Sequence, residues 1–235
     1  MQIPRREKRA SQAGLSMIEL LVSMIIVTVI GTMLVAGWIS LQRSFAFAQA
    51  KNTARATARD ALERMSSELR DAQPPTDAST TPFYFALASP YVCDAYDCVF
   101  YSAYNNALAR QDGTGTTQLR LTAIWLDTSG AQAQKTLKWT RDTNNNGSLL
   151  DPSDRTIILA RNVVNTTVSP ANPVFTYFFR GSTPGSYTTA ISLDRTSAPT
   201  LVSVQIELVV DANLSHTPSY VDLKTTVQPR NAGAN

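Results

Sequence analysis

The hydrophobic pattern divides the chain into three stretches, and the first is a long apolar run near the N-terminus. Residues 15–42 carry one charged side chain, Glu19, among 28 positions. As an α-helix this run would be about 42 Å long, whereas the hydrocarbon core of a bilayer is about 30 Å thick. The run therefore predicts a membrane-spanning helix rather than the core helix of a soluble domain.

A helical pattern continues past the apolar run. Residues 43–71 contain neither Pro nor Gly and are rich in good helix formers. An apolar stripe with spacings of 4, 4, 3 and 4 runs through Ala54, Ala58, Leu62, Met65 and Leu69. Charged residues are expected on the other faces, where Arg59 can pair with Glu63, or Arg64 with Glu68, one turn apart. Two prolines at 74 and 75 stop the helix, so an amphipathic continuation is predicted over 43–73.

Beyond residue 74 apolar and polar positions alternate with a period of two, which is typical of strands. Strands are predicted at 82–86, 117–125, 135–141, 156–160, 174–179, 202–210 and 220–227. The second of these places Leu121, Ala123 and Trp125 on one face. Strands with one apolar face form antiparallel sheet, and the helix stripe is available to cover that face. The predicted fold is α+β: one long N-terminal helix whose second half packs on an antiparallel β-sheet head at 74–235.

The net charge of +3 is confined to residues 1–14, where four basic side chains outnumber the single acid Glu7. Without them the chain has 21 − 4 = 17 basic and 18 − 1 = 17 acidic groups, a balance of zero. A neutral remainder predicts no nucleic-acid partner. Basic residues flanking a span stay on the cytoplasmic side, so we expect the head outside the cytoplasm.

A basic segment followed by an apolar one is also the layout of a secretory signal peptide. The apolar run here is about twice the usual length of ~7–15 residues for such a core. No small-residue cleavage site follows the run, since residues 37–40 lead directly into helix-compatible sequence. Both features favour a membrane anchor that is retained.

The junction between the leader and the apolar run, AGLSMIELL at 13–21, resembles the class III signal of type IV pilins and type II secretion pseudopilins. That signal has a basic leader ending in Gly, an apolar residue after the cut and a Glu at the fifth mature position. Gly14, Leu15 and Glu19 match it, although the family usually has Phe where Leu15 stands.

The head carries a second resemblance. The segments at 137–142, 155–164 and 175–179 are similar to the strand order of J-type minor pseudopilins and related large minor pilins. The two resemblances together imply a pilin fold in which prepilin peptidase cuts before Leu15 and the new N-terminus is methylated. They also imply that an inner-membrane assembly platform takes the chain from the membrane lipid. The chain would then join other pilin-like subunits in a hetero-oligomeric filament.

Glu19 is a functional candidate on physical grounds as well, because a carboxylate within hydrocarbon costs at least ~2.5 kcal/mol. A cut after Gly14 would create a charged α-amino group four residues away, in the same apolar zone. Opposite charges in low dielectric gain most when they meet. The pair can form within one chain, or between Leu15 of one subunit and Glu19 of its neighbour. The second arrangement is thought to set subunit register in the family; alternatively, Glu19 is protonated at the membrane interface.

The head offers two candidate sites. Cys93 and Cys98 are expected to form a disulfide if the head lies outside the cytoplasm. The sequence DTNNNG at 142–147 matches the opening of a calcium loop, in which alternate side-chain oxygens converge on the cation. The candidate calcium ligands are Asp142, Asn144, Asn146, Ser148, Asp151 and Asp154. The usual closing Glu is replaced by Ser153, so a polar hairpin with an Asn-Gly turn is the alternative.

Two functions follow from these observations. The first is a structural, non-enzymatic subunit, minor rather than abundant because the head is large, of a type IV pilus or type II secretion pseudopilus. The second is an uncleaved, single-pass membrane-anchored module whose extracytoplasmic head binds calcium or another ligand. An enzyme is not expected, because two cysteines and one histidine leave no catalytic constellation to assemble.

Overall fold

The computed structural model describes residues 16–72, 93–102, 120–129, 135–144, 146–149, 151–168, 170–183, 185–193, 200–212 and 219–229. Its first element is a helix, α1, of 54 residues from Met17 to Arg70. The amphipathic continuation predicted over 43–73 therefore extends three positions beyond the observed end of the helix at Arg70. Gly14, Leu15 and the strand predicted at 82–86 lie outside the described residues.

Contacts within the chain separate two compact units, Met1–Ala48 and Gln49–Asn235. In the described part of the first unit, the helix is long and apolar enough to cross a membrane, with a mean hydropathy of 2.5 over its most apolar window. The second unit contains the rest of α1 and all the strands. Residues 49–70 of the helix, which belong to the predicted amphipathic continuation, thus share a unit with the strands.

Eight strands form two antiparallel four-stranded sheets in the described residues. The strands are β1 Asp97–Ser102, β2 Arg120–Asp127, β3 Thr136–Arg141, β4 Arg155–Ala160, β5 Phe175–Arg180, β6 Tyr187–Ala190, β7 Leu201–Asp211 and β8 Tyr220–Val227. The first sheet has the order β1-β2-β3-β4, and the second has the order β6-β5-β7-β8. The sequence predicted a sheet without distinguishing one sheet from two.

The predicted helix stripe is buried, and it lies in one core with both sheets. Ala58, Met65 and Leu69 are fully buried there, while Ala54 packs at the edge. The first sheet contributes Phe100, Ile124, Leu126, Leu137 and Trp139, and the second contributes Phe175, Tyr177, Val204, Ile206, Leu208 and Val210. The α+β prediction, with the second half of the helix packed on antiparallel sheet, is confirmed.

The face of β2 that packs in the core with the helix is the opposite of the one that the sequence favoured. Ile124 and Leu126 face the helix-side core, whereas Leu121 and Ala123 form a second, smaller cluster on the other side of the sheet. Leu149, from the loop after β3, packs against that second cluster. Alternation correctly separated the two faces, but both turned out to be buried, so it could not indicate which one meets the helix.

Candidate functional site

The start of α1 is a capping box built from Ser16 and Glu19. The Ser16 Oγ accepts a hydrogen bond from the Ile18 N–H at 3.3 Å, and the Glu19 Oε2 accepts one from the Ser16 N–H at 3.1 Å. Two backbone donors of the first turn are satisfied in this way. The Glu19 carboxylate is thus turned back toward the N-terminal end of α1. The S-x-x-E spacing at 16–19 is the sequence signal for this cap, and it is absent from the predictions above.

The helix surface that follows is apolar and open. Large side chains from Met17 to Phe47 are exposed, among them Trp38 at 62% and Phe45 at 66%. The Ser23, Thr28 and Thr32 hydroxyls donate to carbonyls of the preceding turn at 2.7–2.8 Å. These polar groups are satisfied within the helix, so they do not interrupt its apolar character. A surface of this extent needs lipid or other helices around it.

The predicted disulfide between Cys93 and Cys98 is present, and both cysteines are fully buried. The turn that it closes touches both sheets. Cys98 lies in β1, while the Cys93 carbonyl accepts a hydrogen bond from the Leu193 N–H at 2.9 Å. The Tyr177 hydroxyl of β5 donates to the Asp94 carbonyl at 3.1 Å. The disulfide therefore fixes a turn at the junction of the two sheets.

Two carboxylates share this turn. Asp94 Oδ1 accepts hydrogen bonds from the backbone N–H groups of Tyr96 and Asp97, and Asp97 Oδ1 accepts one from Leu126 at 3.1 Å. Burial and, to a lesser extent, the nearby Asp94 charge raise the pKa of Asp97 to about 6, against the opposing effect of the hydrogen bond from the Leu126 N–H. Asp97 is therefore a carboxyl group that titrates well above its usual range.

The candidate calcium loop connects β3 to β4, which pair as an antiparallel hairpin. The predicted hairpin is therefore confirmed, and calcium binding by its loop stays a prediction. Asp142 Oδ2 accepts a hydrogen bond from the N–H of Gly147, which has a positive φ of 75°. Asp151 Oδ2 accepts bonds from the side-chain amides of Asn144 and Asn146 at 3.0 and 3.1 Å. The loop side chains therefore gather around the Asp151 carboxylate.

The remaining predicted ligands join the same network through the backbone. Asp154 accepts hydrogen bonds from the N–H groups of Thr143 and Asp151, and the Ser148 N–H donates to Asn146 Oδ1. Hydrogen bonds from the Ser153 N–H and hydroxyl lower the pKa of Asp151, which keeps that carboxylate ionised. Carboxylate and amide oxygens suit calcium. Among the described residues, no group of three His, Cys, Asp or Glu side chains is placed to hold a metal, so two Asn side chains would have to turn their oxygens inward.

A buried charge cluster links α1 to the first sheet, and sequence reasoning missed it. Glu68 is fully buried rather than on a solvent face. Its Oε2 lies 2.6 Å from the Arg141 Nη2 and accepts a hydrogen bond from the Ser102 hydroxyl at 2.9 Å. The predicted pair with Arg64 is also present, at 3.7 Å. The Arg64 and Arg141 guanidinium groups lie 4.5 and 4.9 Å from the Trp139 ring centroid.

Desolvation governs the electrostatics of this cluster. Burial raises the pKa of Glu68, opposed first by the charge of Arg141, and burial likewise lowers the pKa of Arg141. A signal for the cluster existed in the sequence, because Glu68 follows Ala61 by seven residues and Met65 by three. That spacing places it on the buried stripe, where an acid requires a cation from another element.

No protein-family model, curated protein or solved structure matches this chain. What the chain does must therefore be inferred from its own residues and their geometry.

Proposed function

We propose that this chain is a structural, non-enzymatic subunit of a type IV pilus or a type II secretion pseudopilus, and a minor one. Prepilin peptidase would cut between Gly14 and Leu15, and the new N-terminus would be methylated. The processed chain would then leave the membrane through an assembly platform and join other pilin-like subunits. The large head, which contains two four-stranded sheets, favours a minor subunit over an abundant one.

The observation that carries the proposal is the direction of the Glu19 side chain. Its Oε2 lies 3.1 Å from the Ser16 backbone nitrogen, one residue from the amino group that a cut before Leu15 would release. The liberated α-amino group would be positively charged at neutral pH. In low dielectric it would attract the carboxylate strongly, whether both belong to one chain or to neighbouring subunits.

The exposed helix supports the same proposal, because its apolar surface suits both environments of such a subunit. Before assembly, lipid would surround the side chains between Met17 and Phe47. After assembly, the same side chains of neighbouring subunits would surround one another. The basic residues at 1–14 favour an orientation with the head outside the cytoplasm, where the buried disulfide is also stable.

Mass spectrometry of the protein extracted from membranes tests the proposal. A mature N-terminus at Leu15, with one added methyl group, is the expected result. An intact leader from Met1 to Gly14 would instead support the second candidate, a single-pass anchored module whose head binds a ligand. Substituting Gly14→Ala provides the matched control, since it should preserve membrane insertion while blocking the cut.

We propose in addition that the loop between β3 and β4 binds calcium. Asp142, Asp151 and Asp154 would supply negative charge, while Asn144 and Asn146 would supply neutral oxygens and Ser148 a hydroxyl or a backbone oxygen. The gathering of five of these side chains in one hydrogen-bonded loop supports the proposal. Because Leu149 packs beneath the first sheet, an ordered loop would also stabilise that outer cluster.

A further inference from the structure

The loop between β3 and β4 contains a chemically labile pair of residues. Asn146-Gly147 is the single Asn-Gly pair in the 235-residue sequence. The side-chain amide of an asparagine can be attacked by the backbone nitrogen of the next residue, because this attack closes an unstrained five-membered ring. A glycine in that position favours the attack, since it has no Cβ to obstruct it. Asn146 and Gly147 are both exposed, and among the described residues no atom outside the chain neighbours lies within 4 Å of the place that a Gly147 Cβ would take.

The structure places a hydrogen-bond partner on each group that such a reaction involves. The attacking nitrogen is that of Gly147, and its N–H donates to Asp142 Oδ2 at 2.8 Å. The oxygen on the carbon under attack is Asn146 Oδ1, which accepts a hydrogen bond from the Ser148 N–H at 2.8 Å. The departing nitrogen is Asn146 Nδ2, which donates to Asp151 Oδ2 at 3.1 Å. A proton acceptor, a donor to the developing oxyanion and an acceptor that orients the leaving group thus surround one side chain.

We infer that this loop deamidates itself at Asn146. The Gly147 nitrogen attacks Asn146 Cγ and forms a C–N bond, while its proton passes to the Asp142 carboxylate. The Ser148 N–H stabilises the negative charge that develops on the oxygen. The side-chain nitrogen takes up that proton by way of solvent and leaves as ammonia, which gives a cyclic imide. One water molecule then opens the imide, so the net reaction converts asparagine and water to aspartate or isoaspartate and ammonia.

The proton acceptor is held in place by the fold. Asp142 directly follows β3 and is buried, and its backbone N–H donates to the Leu121 carbonyl of β2 at 2.9 Å. Gly147 has a positive φ of 75°, which glycine adopts readily, and its N–H is turned back to Asp142. In an unfolded chain the same Asn-Gly pair would react without these partners. The folded loop should therefore react faster than the unfolded chain.

Deamidation changes the charge of the loop. Asp142, Asp151 and Asp154 supply three carboxylates, and an aspartate at position 146 would supply a fourth. The affinity of an oxygen-ligand loop for calcium depends on how many of its ligands are charged. The product should therefore bind calcium more tightly than the newly made chain. This consequence rests on the proposed calcium site, whereas the deamidation itself does not.

Peptide mapping by mass spectrometry measures the reaction in the full-length protein, aged at neutral pH in detergent with a chelator present. The tryptic fragment 142–155 contains the site. We expect conversion at residue 146, and Asp142→Asn should slow it roughly tenfold, because an amide cannot take up the Gly147 proton. Asp222→Asn, at an exposed position of β8, is the matched control and should leave the rate unchanged. A rate that is unchanged or higher in the folded Asp142 variant overturns the inference.

Ageing in urea separates the folded loop from the lability of the Asn-Gly pair itself. In urea the native chain and Asp142→Asn should convert at the same rate, because the carboxylate is no longer held beside Gly147. The native chain should also convert faster when folded than in urea, a comparison that needs no variant. Denaturant unfolding of each protein establishes that the head is folded in the other arm. A native chain that reacts faster in urea, or a variant that is equally slow in both conditions, overturns the inference.

Calcium titration of fresh protein, aged protein and Asn146→Asp tests the consequence. Aged protein and the variant should bind calcium roughly threefold to tenfold more tightly than fresh protein. Equal affinities in all three would overturn the proposed gain. Conversion at residue 146 without calcium binding to any of them would refute the calcium proposal and keep the deamidation. Calcium binding without conversion at residue 146 would do the reverse.

Discussion

A carboxylate removed from water loses its hydration, so Glu68 is tolerated in the core because Arg141 lies 2.6 Å away and Ser102 donates a hydrogen bond. The Arg141 side chain in turn lies over Trp139. These contacts join Glu68 of the helix to Ser102 of β1 and Arg141 of β3 in the first sheet. A displacement of the helix by a single turn would separate Glu68 from Arg141. The cluster therefore favours one position of α1 on the first sheet over others.

We predict that Glu68→Ala lowers the free energy of unfolding by about 3–5 kcal/mol, because it removes the carboxylate that lies 2.6 Å from the buried Arg141 guanidinium. Glu63→Ala, on the exposed face of the same helix, should change it by less than about 0.5 kcal/mol. Replacing both partners, as in Glu68→Leu with Arg141→Met, should recover much of the loss. Urea unfolding of detergent-solubilised protein measures all three, and equal values for the two alanine variants would contradict the role given to Glu68.

Asp97 gives the head a pH dependence whose sign can be worked out. Its pKa is raised to about 6 in the folded state, by burial first and then by Asp94, from 3.8 when unperturbed. The folded state therefore binds the proton more tightly than the unfolded state. Protonation of Asp97 therefore stabilises the folded state fully below about pH 4, and this stabilisation is lost as the pH rises through about 6.

We predict that Asp97→Asn removes this slope and raises the stability at pH 7 by about 1–2 kcal/mol. The asparagine keeps an oxygen that can accept the hydrogen bond from the Leu126 N–H. Unfolding curves recorded between pH 4 and pH 7.5 provide the measurement. Asp222→Asn, exposed on β8, serves as the control, and a slope that persists unchanged in the Asp97 variant would assign it to other groups.

At the scale of elements, the loop between β3 and β4 has two structural roles. It closes a hairpin, and Leu149 covers the outer face of the first sheet beside Leu121 and Ala123. Calcium binding would order the same segment, so metal binding and the packing of that outer cluster should be coupled.

We predict that calcium raises the melting temperature of the protein by a few degrees and that Asp142→Asn with Asp151→Asn abolishes this rise. Binding to the folded state alone stabilises it by mass action, and these substitutions remove two of the three negative charges in the loop. Calorimetry with calcium, and with magnesium for comparison, measures the effect. An equal rise in the double variant would mean that any calcium bound lies elsewhere.

At the scale of the whole molecule, the two units differ in how far their described apolar side chains are exposed. In the unit that begins at Gln49, most of the described apolar residues are buried, with exceptions such as Ile158 and Ile191, whereas the large apolar residues of α1 before it are exposed. The apolar surface of the helix before Gln49 therefore requires lipid or other chains around it. The proposed assembly through the helix would leave the head free to differ from those of its neighbours.

We predict that Glu19→Ala sharply reduces the yield of filaments while leaving membrane insertion intact. Glu19→Gln separates two explanations, because glutamine can still cap the Ser16 N–H but carries no charge. If neutralisation of the α-amino group is what matters, both variants should fail in a filament yield assay. Normal filaments from Glu19→Gln would show that the cap alone suffices, and normal filaments from both would refute the proposed assembly role.

The local pattern alone determined several features of the fold. Spacing along the helix identified its buried stripe, and β8 was predicted with its observed bounds at Tyr220–Val227. Two strands were missed for physical reasons. β1 has adjacent buried residues, as its neighbours Val99 and Phe100 show, so it lacks alternation, and β6 is four mostly exposed residues.

The tertiary structure alone decided which surfaces are covered. It divided the strands into two sheets, turned Ile124 rather than Leu121 toward the helix, and buried Glu68 against Arg141. Periodicity follows from neighbours in the sequence, because side-chain directions repeat every 3.6 or every 2 residues. The element that covers a given face, and the cation that neutralises a buried acid, come from segments dozens of residues away. Only the folded chain brings them together.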